Sequence, residues 1–144
     1  MKISENFNLS EFTKSDTAKR LGINNEIMSE RIRNNIKQLV FNVLQPLRDY
    51  VEKSVTISSG YRCPKLNAEV GGVASSQHCK GEGADIKIDG LTSYEIASAI
   101  IKLNLPYDQL ILYPNFVHVS YSSLYNRHLL LYNKSYKGCR DLLC

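Results

Sequence analysis

No run of about 20 apolar residues occurs anywhere in the sequence, which excludes a helix that spans a bilayer. The opening Met1–Asn6 also lacks the apolar core of a secretory signal. The chain is therefore expected to be made and kept in a cytoplasm, or to leave by a route that needs no signal. No two of the four cysteines, Cys63, Cys79, Cys139 and Cys144, stand in C-x-x-C spacing, which argues against a four-cysteine zinc site. Without a secretory signal they are expected to be reduced. Arginine-rich and lysine-rich runs are missing too. The net charge of +4 is spread along the chain, enough to favour approach to an anionic polymer but giving nucleic-acid binding no support. Repeats, low-complexity segments and linkers are absent, so residues 1–144 are expected to form one domain, acting as a monomer. A domain of 144 residues buries roughly two thirds of its unfolded surface and needs no metal or disulfide merely to fold. A bound metal would serve function.

What is present is an ordinary globular composition, 43% hydrophobic and 22% charged. Short helical turns are expected at Leu9–Phe12 and from a cap at Ser15 to a stop at Gly22. The strongest helical pattern runs from about Glu26 to Tyr50. Met28, Ile32, Ile36, Leu39, Val40, Val43, Leu44 and Leu47 make one apolar stripe, and Pro46 should kink or interrupt it. Strands follow at 55–58, 84–89, 109–113, 116–121 and 128–132, with a helical turn at 65–70. A helix capped by Thr92 or Ser93 and closed at Asn104 is inserted among them. Pro114-Asn115 is the expected turn of a hairpin. Helices first, then a mostly antiparallel sheet with one inserted helix, indicate an α+β domain.

Strand alternation singles out particular side chains. Ala84, Ile86 and Ile88 share one face of their strand, and Asp85, Lys87 and Asp89 the other. Val117, Val119 and Tyr121 likewise oppose Phe116, His118 and Ser120. If both aliphatic faces pack under the long helix, Asp85 and His118 project from the same open side. His78 reaches them if the loop from Cys79 to Gly83 swings back, for which Gly81 and Gly83 give backbone freedom. Two histidines and one carboxylate suit catalytic zinc, because they leave a coordination position for water. Only three histidines exist in the chain, and two of them fall at these places. Cys79, beside His78, is a second-choice ligand.

The stretch from Ser76 to Asp85, SQHCKGEGAD, resembles the S-x-H-x-x-G-x-A-x-D signature of the zinc D-Ala-D-Ala peptidases. That group includes the VanX dipeptidases and phage endolysins, and it shares its fold with lysostaphin-type enzymes and the Hedgehog signalling domain. Phe116-Val117-His118 is similar to the family's W-x-H segment, and Ser59-Gly60-Tyr61-Arg62 to its S-G-Y-R segment. Asp108-Gln109-Leu110-Ile111 has the family's look. The opening FNLSEF at residues 7–12 resembles the start of small single-domain members, many of them phage-encoded.

The resemblance implies that His78, Asp85 and His118 hold one Zn2+ ion. Arg62 would hold a substrate carboxylate or polarise the scissile carbonyl, and Ser76 and Gln77 would orient ligands or touch substrate. The implied substrate is the stem or cross-bridge peptide of bacterial peptidoglycan. It would be cleaved by a carboxypeptidase or an endopeptidase of the phage or prophage lysis type, reaching the wall after release. The sequence departs from the signature at Phe116, since it contains no tryptophan, and at Gly83, where the family has alanine. A third departure is Asn115, three residues before His118, where many members carry, within a few residues of the ligand, an acid or histidine able to take a proton. Asp108 is the first candidate for that base, with Glu82 and Asp89 behind it and Tyr113 as a hydrogen-bonding substitute. A zinc-retaining wall-binding module without turnover, as in the Hedgehog domain, is the alternative.

Overall fold

The computed structural model describes residues 1–142, so Cys144 and the end of the expected 1–144 domain lie outside the described residues. The chain opens with a small hairpin, β1 (Lys2–Ser4) against β2 (Phe7–Asn8), which the sequence pattern did not suggest. Helices α1 (Ser10–Thr13) and α2 (Asp16–Leu21) follow. Ser15 caps α2 by accepting a hydrogen bond from the Ala18 N–H at 3.1 Å, and Gly22 ends it in the left-handed region, φ 66°. Both ends match the sequence expectation.

The long helix begins at Glu30, later than its apolar stripe suggested. Residues before it lie outside any helix, tied back by Asn25, whose amide donates to the carbonyls of Thr13 and Tyr61 and accepts from the Cys63 N–H. Ser29 then caps α3 (Glu30–Leu39). Met28 consequently stands outside the helix, 83% exposed, and is no part of the core. A π turn, Val40–Leu44, joins α3 to α4 (Gln45–Val51), with the Gln45 N–H bonded to the Val40 carbonyl. Proline cannot donate to the carbonyl four residues back and crowds it. The wider π turn ahead of Pro46 absorbs that conflict without breaking the rod. Leu39, Val40, Val43, Leu44 and Leu47 all remain fully buried.

The sheet has the order β3-β4-β6-β5-β7, formed by Thr56–Ser59, Gly83–Lys87, Val117–Ser120, Gln109–Leu112 and Leu129–Tyr132 respectively. Its pairings are antiparallel except β5–β7, which is parallel. Helix α5 (Pro64–Glu69) lies between β3 and β4 in the chain, and α6 (Ser93–Lys102) between β4 and β5. The aliphatic faces of β4 and β6 join one core with the long helix and with Ile96, Ala97 and Ile100 of α6. Thr92 and Glu95 form a capping box at the start of α6, each side chain bonded to the other's backbone N–H. Thr92→Ala is expected to cost about 1 kcal/mol, read as a lower urea midpoint at unchanged m-value. Among the described residues no helix is long and apolar enough to cross a membrane.

Candidate metal centre

Burial of Ala84, Ile86, Val117 and Val119 fixes the register, and the register pairs Asp85 directly with His118 on the opposite, open face. His78 comes from the 3-10 turn Gln77–Lys80. Ser76 caps that turn by accepting from the His78 N–H at 3.2 Å. Gly81 closes it with φ 73°, a conformation L side chains rarely adopt, so the return of the chain depends on this glycine. Gly83, also expected to serve that return, instead lies within β4 opposite Ser120.

The three side chains converge. His78 Nε2 lies 3.3 Å from Asp85 Oδ1, and His118 Nδ1 lies 2.9 Å from the same oxygen. One ligand atom from each of the three falls within 4.8 Å of the others. Four ligands at about 2.0 Å from a tetrahedral zinc stand about 3.3 Å apart, close to the two separations measured from Asp85 Oδ1. Each ring is also oriented from behind. His78 Nδ1 donates to the Gly60 carbonyl at 2.7 Å, and His118 Nε2 donates to Gln77 Oε1 at 2.9 Å. With the outward nitrogens protonated, the inward ones would offer lone pairs to a metal; without one, the same nitrogens hydrogen-bond Asp85 Oδ1. Burial works to raise the Asp85 carboxyl. Hydrogen bonds from His118 and His78, with their charge, outweigh it and hold the group well below the usual carboxylate range. The donor set therefore fits a divalent cation.

These groups lie in an open cleft of about 690 Å³, which Arg62, Ser76, Glu82, Asp108 and Tyr113 also line. Arg62 Nε is buried with no hydrogen-bond partner among the described residues, while the Arg62 backbone N–H donates to the His78 carbonyl at 3.2 Å. Cys79 is absent from the ligand group. It borders a separate hollow beside Ile32 and Asn35, and burial pushes its thiol up, which disfavours the thiolate a metal needs.

The base candidates are sorted by their surroundings. Asp108 Oδ1 accepts from the backbone N–H and Nε of Arg127, and Oδ2 from Arg127 Nη2 and Gln77 Nε2, all at 2.9–3.0 Å. The Arg127 hydrogen bonds, against the effect of burial, hold that carboxyl below its ordinary value, so it is poorly disposed to take a proton. Asp89 is exposed beyond the end of β4 and, with Asn115, lines a different hollow. Among the described residues no donor bonds the Glu82 side chain, and burial, with the nearby Asp108, pushes its carboxyl up. Tyr113 stacks on Phe116 with ring centroids 4.3 Å apart, its phenol raised by burial and by Asp85. Arg127 was not legible in the sequence. It lies in the irregular segment before β7, and no local spacing marks it.

A cleft floored by two histidines and an aspartate, with an arginine beside them, is the kind of site that metal-dependent hydrolases use. The family model described as Peptidase M15 matches residues 5–120, which include all three convergent side chains and Arg62, and the chain belongs to that family. No curated protein matches it.

Proposed function

We propose that this chain is a zinc-dependent peptidase that hydrolyses peptide bonds in the stem or cross-bridge peptides of bacterial peptidoglycan. The observation that carries the reading is the convergence of His78 Nε2, Asp85 Oδ1 and His118 Nδ1, with both outward nitrogens fixed, on the floor of an open cleft. Zinc held there supplies a Lewis acid for the scissile carbonyl and for water. His78, Asp85 and His118 hold the ion in place. Arg62, with a buried Nε lacking a partner among the described residues, binds a carboxylate or the carbonyl oxygen on which charge develops. Glu82, unoccupied by donors of the described residues, is the cleft carboxylate that exchanges a proton with the attacking water. The likeness of the opening FNLSEF to phage-encoded members supports a lysis role.

The test is metal analysis of the purified protein, followed by digestion of cell walls. One zinc per chain and release of peptide fragments are expected. Arg62→Ala should keep the zinc and lose about 100-fold in kcat/KM. No zinc uptake at micromolar supply would defeat the proposal, as would full activity in the arginine variant. A second reading, a zinc-retaining module that binds wall peptide without cleaving it, is favoured by Asn115 and by the occupied oxygens of Asp108. It is distinguished by stoichiometric zinc and wall binding with no fragment release.

A further inference from the structure

Gln77 stands between two groups that place opposite demands on it. On one side Asp108, an acceptor only, takes a hydrogen bond from Gln77 Nε2 at 3.0 Å. On the other, Gln77 Oε1 lies 2.9 Å from His118 Nε2. The two ends of a carboxamide are opposite in character, so fixing one fixes the other. Because the carboxylate can only accept, the amide nitrogen must face Asp108, and the amide oxygen must then face His118. That oxygen can only accept, so Nε2 carries a proton, and Nδ1 is the nitrogen that faces Asp85 and would meet a metal. Arg127 completes the row. It grips Asp108 through its backbone N–H, Nε and Nη2, so the carboxylate cannot rotate away.

We propose that Asp108 is a positioning residue that acts through Gln77, selecting the His118 tautomer whose Nδ1 binds the metal, with Arg127 as its anchor. The proposal rests on the metal-site reading above, and it gives Asp108 a task other than that of general base. It reaches beyond the stretch common to the family, because Arg127 lies outside the matched residues 5–120.

The direction of the hydrogen bonds supplies a test that packing alone would not pass. In Asp108→Asn, the oxygen of the new amide stays where two Arg127 donors converge, and its nitrogen takes the place facing Gln77. Two amide nitrogens then oppose each other, Gln77 turns over, and its nitrogen faces His118 Nε2. The ring must accept there and carry its proton on Nδ1, where a metal would bind. The double variant Gln77→Glu with Asp108→Asn restores the original sense. The new amide at position 108 then donates to the new carboxylate at position 77, which in turn accepts from His118 Nε2–H.

Two measurements read this out: the imidazole 15N shifts of His118 in metal-free protein, and the zinc Kd by chelator competition. The expected result is an Nε2-protonated His118 in wild type and an Nε2 without its proton in Asp108→Asn. Zinc affinity should fall about 10- to 100-fold in the single variant, with both properties restored in the double variant. Should Asp108→Asn fail to fold, Gln77→Leu, which leaves the Asp108–Arg127 pair intact, is expected to show the same loss of affinity. An unchanged tautomer in Asp108→Asn, or a double variant no better than the single, would overturn the proposal. If wild type took up no zinc, the metallopeptidase reading would fail, while the tautomer in metal-free protein would still decide the role of Asp108.

Discussion

His118→Ala is expected to abolish stoichiometric zinc and to lower kcat/KM on wall peptide by at least about 1,000-fold. The substitution removes the Nδ1 that lies 2.9 Å from Asp85 Oδ1 and leaves only two of the three convergent donors. A bound metal contributes several kcal/mol to stabilising charge in the transition state, and three factors of ten correspond to about 4 kcal/mol. The fold should survive, because the imidazole projects from the open face of β6 while Val117 and Val119, both fully buried, keep the strand in place. Metal content per chain and initial rates, compared at matched circular dichroism, give the answer. A variant that retained one zinc, or released fragments at the wild-type rate, would show that the ligand set is wrong.

Gly60→Ala is expected to be a strongly damaging small change outside the ligands, costing about 3 kcal/mol of stability. A Cβ at this position would stand 2.7 Å from both the Cα and the carbonyl oxygen of Phe12. Those are backbone atoms and have no rotamer through which to yield. The close approach is held by the Tyr61 N–H, which donates to the Phe12 carbonyl at 2.6 Å, and Phe12 itself is buried. Gly60 is also the residue whose carbonyl fixes His78 Nδ1. The strain should therefore reach the metal, lowering zinc affinity of the folded protein about tenfold. Urea unfolding and chelator competition measure the two effects separately. Wild-type values in both would break the link between the opening segment and His78.

That link explains why two motifs far apart in the sequence occur together. The FNLSEF opening supplies the Phe12 carbonyl, and the SGYR segment meets it with Gly60 and Tyr61 before Arg62 enters the cleft. The sequence displayed the two motifs, and their contact became visible only in the fold. Where a local rule decides the structure, the reading from sequence succeeded. The two-residue alternation in Ala84–Ile88 placed Asp85 on the open face, and the helix starts were marked by a cap at Ser15 and by one at Thr92 or Ser93, of which Thr92 is the cap. Where a distant group decides, it fell short. Asn25 holds residues before Ser29 out of the helix through bonds to Thr13, Tyr61 and Cys63, so Met28 has the right spacing and the wrong environment. Asp108 reads as a strand-edge carboxylate until Arg127, brought beside it where β7 runs parallel to β5, occupies its oxygens. The β1–β2 hairpin is too short to carry a period.

The π turn at Val40–Leu44 has a further consequence for the metal ligands. An α-helix turns 100° per residue, so a π turn acts as a phase shift, rotating everything on its N-terminal side relative to everything after it. On that N-terminal side, Asn35 donates to the Lys80 carbonyl at 2.9 Å, and Ile32 packs close to Gly81. Both contacts brace the turn that presents His78. Removing one residue from 40–44 to restore a regular helix would keep α4 in the core and swing that brace about 100° off its target. The irregularity in the rod is what lets one helix serve two clients, the core with its second half and the metal ligand with its first.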